Sequence, residues 1–312
     1  MFWSYLVLTS ETRAHTLGSL LDRSASPTQT RLQKLSSVKV VQVPGHLGSS
    51  DKESPCLGLL RDLPSVVHIH VHTARNTSTS PLVLISLALR SSGLCAPLHG
   101  LTGVVIGNVN FEAVMLALRD LAPSLRQLSI STTNSVSHEP TRTTPFSKLA
   151  ALSLGGPVGV AAPWLENVLD ACWDLPVLGK VHLGQEKDPK FLTLGWLDGC
   201  KTLFLPNLNK VAEKFRDLAK IGVSELAFWL DFEEWNGFSL EDLQDLLDLA
   251  EGGRVDTVKA VVVVEKAGVR SSEIGHDFCL AQFVNKRRLP SLEKVVWVAA
   301  KKDDDDSNSW SG

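Results

Sequence analysis

Apolar residues along this chain recur in a short phrase: one apolar position, two variable ones, an apolar, a variable, an apolar. It reads Leu125-Arg-Gln-Leu128-Ser-Ile130, Leu149-Ala-Ala-Leu152-Ser-Leu154, Leu178-Gly-Lys-Val181-His-Leu183, Cys200-Lys-Thr-Leu203-Phe-Leu205 and Leu292-Glu-Lys-Val295-Val-Trp297. The last two apolar positions alternate as a strand requires, and the first turns the chain onto the wall behind it. Between copies the period changes from two to that of a helix. Phe111, Val114, Met115, Leu118 and Leu121 lie on one helical face, as do Leu208, Val211, Ala212, Phe215 and Leu218. Ser80-Pro81 starts a further helix running to about Leu89, and Ser239 caps one whose buried stripe is Leu243, Leu246, Leu247 and Ala250. Strand phrases begin near Trp3, Val38, Val66, Leu101, Leu125, Leu149, Leu178, Cys200, Val223, Val258 and Leu292. Their spacing, roughly 22 to 35 residues, leaves room for a strand, a helix or extended segment, and two turns.

Units of that size cannot bury a core alone and must stack. The pattern therefore predicts an α/β fold: an irregular leucine-rich-repeat solenoid with a parallel inner sheet and outer helices. Residues 1–300 form one such domain in this reading. Residues 301–312, with Asp303 to Asp306 consecutive, form a disordered acidic tail, because like charges repel and little apolar surface is present to fold them. The Ser-, Thr- and Asn-rich stretch from Thr132 to Thr144 reads as a protruding loop.

Leu125 to Ile130, Phe146 to Leu154 and Leu289 to Trp297, two of them led by Pro-Ser-Leu (Pro123-Ser124-Leu125 and Pro290-Ser291-Leu292), resemble the repeat portion of fungal F-box and leucine-rich-repeat-like proteins. The resemblance spans most of the chain. It implies a scaffold for protein partners and a ubiquitin-ligase substrate receptor. The family's F-box, with its Leu-Pro start, is not found before Trp3, and the regular asparagine of the common repeat is not maintained, so adaptor docking transfers to no residue here.

Composition narrows the classes further. With 44% hydrophobic and 21% charged residues the chain can bury a large core. A net charge of −3 supplies no broad positive field for nucleic acid or anionic lipid. Cys56, Cys95, Cys172, Cys200 and Cys279 are far apart and odd in number, which disfavours a disulfide framework and a zinc ribbon. No secretory signal or membrane-length apolar run stands out, so a cytoplasmic or nuclear location is expected. P-loop, dinucleotide, GxSxG and HExxH motifs are missing, and a non-enzyme without cofactors is expected.

Two groups of residues stand out as sites. Strand alternation puts His68, His70 and His72 together on the concave side, where two imidazoles and a third ligand such as His46 could hold zinc. A metal-dependent enzyme or metal-binding protein centred there is the alternative reading, set against a row of solvated strand histidines. Alternation also assigns Gln127, Ser129, Lys180, His182, Phe204, Glu225 and Trp229 to that side, with Phe204 and Trp229 as exposed aromatic anchors. A one-residue slip at Ala227 to Leu230 would move Trp229 into the core instead. The expected function is a non-catalytic scaffold or substrate-recognition module, with His182, Phe204, Glu225, Trp229, His70 and His72 meeting a protein partner.

Overall fold

The computed structural model describes residues 4–23, 35–44, 54–63, 65–71, 82, 85–86, 89, 98–106, 111–132, 143–155, 173–183, 199–205, 218, 222–230, 256–265 and 289–299. They belong to two compact units. One comprises Met1–Leu178 with Gln185–Lys190, the other Gly179–Gly184 with Phe191–Gly312.

In the first unit the strands are β1 (Tyr5–Val7), β2 (Val40–Val43), β3 (His68–Val71), β4 (Gly100–Ile106), β5 (Gln127–Thr132), β6 (Thr144–Pro145), β7 (Ala151–Gly155) and β8 (Trp173–Asp174). β1, β2, β3, β4, β5 and β7 pair in that order, always parallel. β6 and β8 form a separate parallel pair. In the second unit β9 (Lys180–Leu183), β10 (Thr202–Leu205), β11 (Glu225–Leu230), β12 (Ala260–Glu265) and β13 (Lys294–Ala299) repeat the arrangement. Each unit is a leucine-rich-repeat-like stack, one parallel strand per repeat in chain order.

The phrase explains the stack. Its leading residue is buried at Val38, Val66, Leu125, Leu149, Leu178, Cys200, Val223 and Val258, and the strand begins two residues later. The fourth copy starts at Leu98, not at Leu101 as the sequence pattern suggested. Leu98 and Leu101 are both buried, but a bulge then displaces the next inward residue to Val104. An earlier apolar position also belongs to the phrase. Leu35, Leu63, Ala122, Phe146 and Leu289 are buried three residues upstream, and in several copies the leading N–H bonds back to that residue's carbonyl, as Val38 does to Leu35 at 3.1 Å.

Successive repeats are joined by a recurring backbone device. The carbonyl of Ser4 accepts two consecutive N–H groups of the next repeat, Lys39 at 2.9 Å and Val40 at 3.1 Å. Lys39 does the same for Val67 and His68, Val67 for His99 and Gly100, His99 for Arg126 and Gln127, and Arg126 for Ala150 and Ala151. In the second unit Gly179, Lys201, Ser224 and Lys259 fill the same role.

Among the described residues the helices are α1 (Glu11–Arg23), α2 (Pro55–Arg61) and α3 (Phe111–Leu121), with shorter helical pieces besides. α3 buries Phe111, Val114, Met115, Leu118 and Leu121, the expected stripe, and Ala117 besides. Leu82, Ile85, Ser86 and Leu89 are helical at the spacing expected for the Ser80 helix. Leu218 is helical and buried; the rest of the Leu208 to Leu218 stripe and all of the Ser239 helix lie outside the described residues, as do His46, His72 and 301–312. The stretch expected to be a loop from Thr132 to Thr144 begins in β5 and ends in β6, with Thr144 buried; 133–142 lie outside the described residues. At the β6–β8 pair the Phe146 and Trp173 rings pack tilted, centroids 4.7 Å apart, and the buried Trp173 indole N–H has no partner among the described residues.

α1 and α2 brace each other through a cap borrowed from a neighbour. Ser54 caps α2, accepting from the Leu57 N–H at 3.4 Å with Pro55 next in line. The Ser54 hydroxyl donates to Glu11 Oε1, and Glu11 Oε2 accepts from the Cys56 N–H at 3.1 Å. A carboxylate on α1 thus satisfies an orphan donor of α2. Replacing Glu11 with Ala should lower stability by about 1–2 kcal/mol. Urea denaturation should show a lower midpoint at unchanged slope; an unmoved midpoint would mean water serves α2 equally well.

Candidate recognition face

Alternation leaves each sheet with a core face and a second face. In the first unit, Leu6, Val41, Ile69, Leu101, Leu128 and Leu152 pair across the core face and are all buried. On the other face Tyr5, Val40, His68, Gly100, Gln127 and Ala151 form one row, followed by Val7, Gln42, His70 and Thr102, and Ser129 pairs with Ser153. The Tyr5 hydroxyl donates to Gln42 Oε1 at 3.1 Å. No strand residue described on this face of the first unit is Asp, Glu, Lys or Arg.

His68 and His70 are half-buried there, as alternation predicts. Their nitrogens meet at one atom: Thr102 Oγ1 lies 3.3 Å from His68 Nε2 and 2.9 Å from His70 Nδ1. Glycines make this arrangement fit. A Cβ on Gly100 would overlap the His68 ring. Gly103 has φ +76°, and a Cβ there would overlap the Val71 carbonyl. Thr102 and Gly103 stand together opposite Ser129, a bulge that re-aims the threonine. Sequence reasoning overlooked Thr102 because it placed the repeat start three residues late; Leu98-His-Gly-Leu101, read as the opening of the phrase, exposes it.

In the second unit the corresponding face carries Lys180 and His182 on β9, Thr202 and Phe204 on β10, Glu225 and Ala227 on β11, and Ala260, Val262 and Val264 on β12. His182 and Phe204 meet edge to face, ring centroids 4.4 Å apart at 86°. Phe204 is not the exposed anchor that alternation suggested. It is only 7% exposed, in a cluster with Ala227, Val264 and Val262. Apolar neighbours on the same face and the His182 ring keep it from water. Burial also pushes the His182 imidazole down to about 4. Glu225 is half-buried at the start of β11, in register with Thr202 and one pair before the aromatic contact. Pairing of Glu225 to Leu230 with Ala260 to Glu265 runs one for one, so β11 contains no slip. Trp229 occupies the position opposite Val264, and its side chain lies outside the described residues. The residues expected to form one site therefore belong to two units, and within them the structure joins His68 with His70, and His182 with Phe204.

Among the described residues no cluster of three or more His, Cys, Asp or Glu side chains could hold a metal ion. The Cys56 thiol is pushed up to about 12 by burial and by Glu11, and burial raises Cys200 to about 11. Neither is a thiolate at neutral pH. No described helix is long and apolar enough to cross a membrane.

No protein-family model matches this chain, and no curated protein matches it either. Among solved structures it is similar to LegL7, a leucine-rich repeat-containing protein from Legionella pneumophila, at 15% identity over 95% of this chain and 83% of that one, with a TM-score of 0.41. A likeness at that level adds nothing to the strand order and register, on which the architecture rests.

Proposed function

We propose that this chain is a non-catalytic interaction scaffold that binds a protein partner through the sheet face opposite its core. The observation that supports this is the register: successive parallel strands set Tyr5, Gln42, His70 and Thr102 in the first unit, and His182, Phe204 and Glu225 in the second, into rows that a polypeptide can span. In this reading His70 and His72 belong to a contact surface on the first unit, and His182, Glu225 and Trp229 to one on the second, where buried Phe204 holds His182 in place. Reducing compartments, cytoplasmic or nuclear, suit the free thiols of Cys56 and Cys200. The role of ligase substrate receptor rests on the family resemblance alone.

A partner captured on the immobilised chain provides the test. Tyr5 is a tyrosine half exposed on this face, the residue type that dominates binding energy. Tyr5→Ala should weaken the partner by about 2 kcal/mol with the melting temperature unchanged. Glu112→Ala, on the exposed side of α3, should leave affinity as it was. The opposite ranking would place recognition on the helical side.

A further inference from the structure

Basic residues of the first unit gather along one edge of its uncharged sheet face. One residue ahead of the first row of that face stands the position whose carbonyl fastens the next repeat. It is Lys39 before β2, Val67 before β3, His99 before β4 and Arg126 before β5. Ahead of β7 the position is Ala150, and Lys148 lies two residues earlier, in the turn closed by the Leu149 N–H on the Phe146 carbonyl at 3.1 Å. Lys39, Arg126 and Lys148 are exposed, and His99 is half-buried. Residues 35–40, 65–68, 98–100, 122–127 and 146–151, which lead into these strands, include no aspartate or glutamate.

The fold makes no use of these side chains. Among the described residues, no side-chain hydrogen bond or ion pair engages Lys39, His99, Arg126 or Lys148. Asp62, ahead of β3, and Asp120, ahead of β5, each make an interaction of their own. Parallel strands hold equivalent positions ~4.8 Å apart, so His99 and Arg126 are neighbours, and basic groups so placed do not stabilise one another. A chain whose net charge is −3 thus carries a local basic edge with no acid of its own to match. Beside that edge lie the uncharged polar residues Gln42, Thr102, Gln127 and Ser129.

We propose that the segment bound by the first unit is an extended acidic polypeptide, its carboxylates on the Lys39, His99, Arg126 and Lys148 edge and its uncharged residues on the adjoining face. This rests on the recognition reading above and adds the chemistry of the partner. From β2 through β3, β4 and β5 to β7 the edge runs four strand spacings. That is ~19 Å, which an extended chain covers with about six residues at ~3.4 Å each. Carboxylates are favoured over the phosphodiesters of a nucleic acid, because among the described residues this face offers bases one exposed aromatic ring, Tyr5, on which to stack.

Fluorescence anisotropy on the full chain tests the partner class, with a labelled peptide of alternating glutamate and serine as probe. The same peptide with glutamine for glutamate, and a short oligothymidine, are the comparisons. The glutamate peptide should bind, and its affinity should fall at least about tenfold between low and physiological salt. Arg126→Glu combined with Lys148→Glu should weaken it by about tenfold, and Lys39→Gln by about threefold, at unchanged melting temperature. Glu112→Gln, on the exposed side of α3, should change nothing. No binding, equal binding of the glutamine peptide, or indifference to the double substitution overturns the proposal. Oligothymidine bound as tightly as the glutamate peptide, and released by the same substitutions, overturns it in favour of a nucleic acid. A captured partner weakened by Tyr5→Ala but indifferent to salt and to the edge variants sinks the acidic class and leaves the recognition face standing. A partner weakened by the edge variants but not by Tyr5→Ala keeps the acidic class and sinks the face.

Discussion

Phe228→Ala should lower the unfolding free energy of the protein by roughly 3–5 kcal/mol, the range for a large aromatic removed from a close-packed interior. Phe228 is fully buried on β11, in register with Leu205 on one side and Val263 on the other, both also fully buried. Parallel strands fixed by backbone bonds on both sides cannot close over the void, so lost transfer energy and lost dispersion contacts add. Chemical denaturation read against Glu112→Ala, an exposed substitution expected within ±0.5 kcal/mol, measures the difference. A loss below about 1 kcal/mol would show that Phe228 does not face the packed interior.

His182 should make the second unit acid-sensitive. Its imidazole is held at about 4, so it stays neutral when folded at pH values where an unfolded histidine has gained its proton. The stability this represents is complete above about 6.5 and declines as pH falls toward 4, and at 1.36 kcal/mol per tenfold it amounts to roughly 3 kcal/mol. Carboxylates titrate over part of the same range, so the measurement must be a difference. Wild type and His182→Leu, each denatured at pH 7 and at pH 4.5, should diverge, with the leucine variant losing less in acid. Equal losses would mean that the ring is solvated in the folded chain.

The repeat was legible because its signal is repeated. Leu128, Leu152, Val181 and Leu203 each sit in a phrase whose period alone separates core from opposite face. α3 was legible for the same reason, its stripe being long enough to define one side. α1 and α2 were missed: α2 is only seven residues long with no exposed face to set a period, and its start depends on Ser54-Pro55 and on a carboxylate far back in the chain, a pairing that no local window contains. Exposure on the second face was the least legible property. Alternation placed Phe204 beside His182 correctly, but whether a ring there meets water depends on Ala227, Val262 and Val264 across two further strands. Thr102 escaped because the extra residue of the bulge let the phrase be read from Leu101 to Ile106, three residues after its true start at Leu98.

The paired N–H groups that converge on a single carbonyl between repeats make the backbone, not the side chains, the point where one repeat ends and the next is fastened. Each join involves the residues just ahead of a strand and ignores what the chain does between strands. Duplication or deletion of a segment cut at equivalent joins, for instance from Lys39 to Val67 or from Lys201 to Ser224, therefore regenerates the same fastening on both sides. Such a join explains how repeats of unequal length coexist in one chain, and it allows the sheet to be lengthened or shortened by whole modules. Proline is the one residue this modularity forbids at the two donating positions, because it has no N–H to offer.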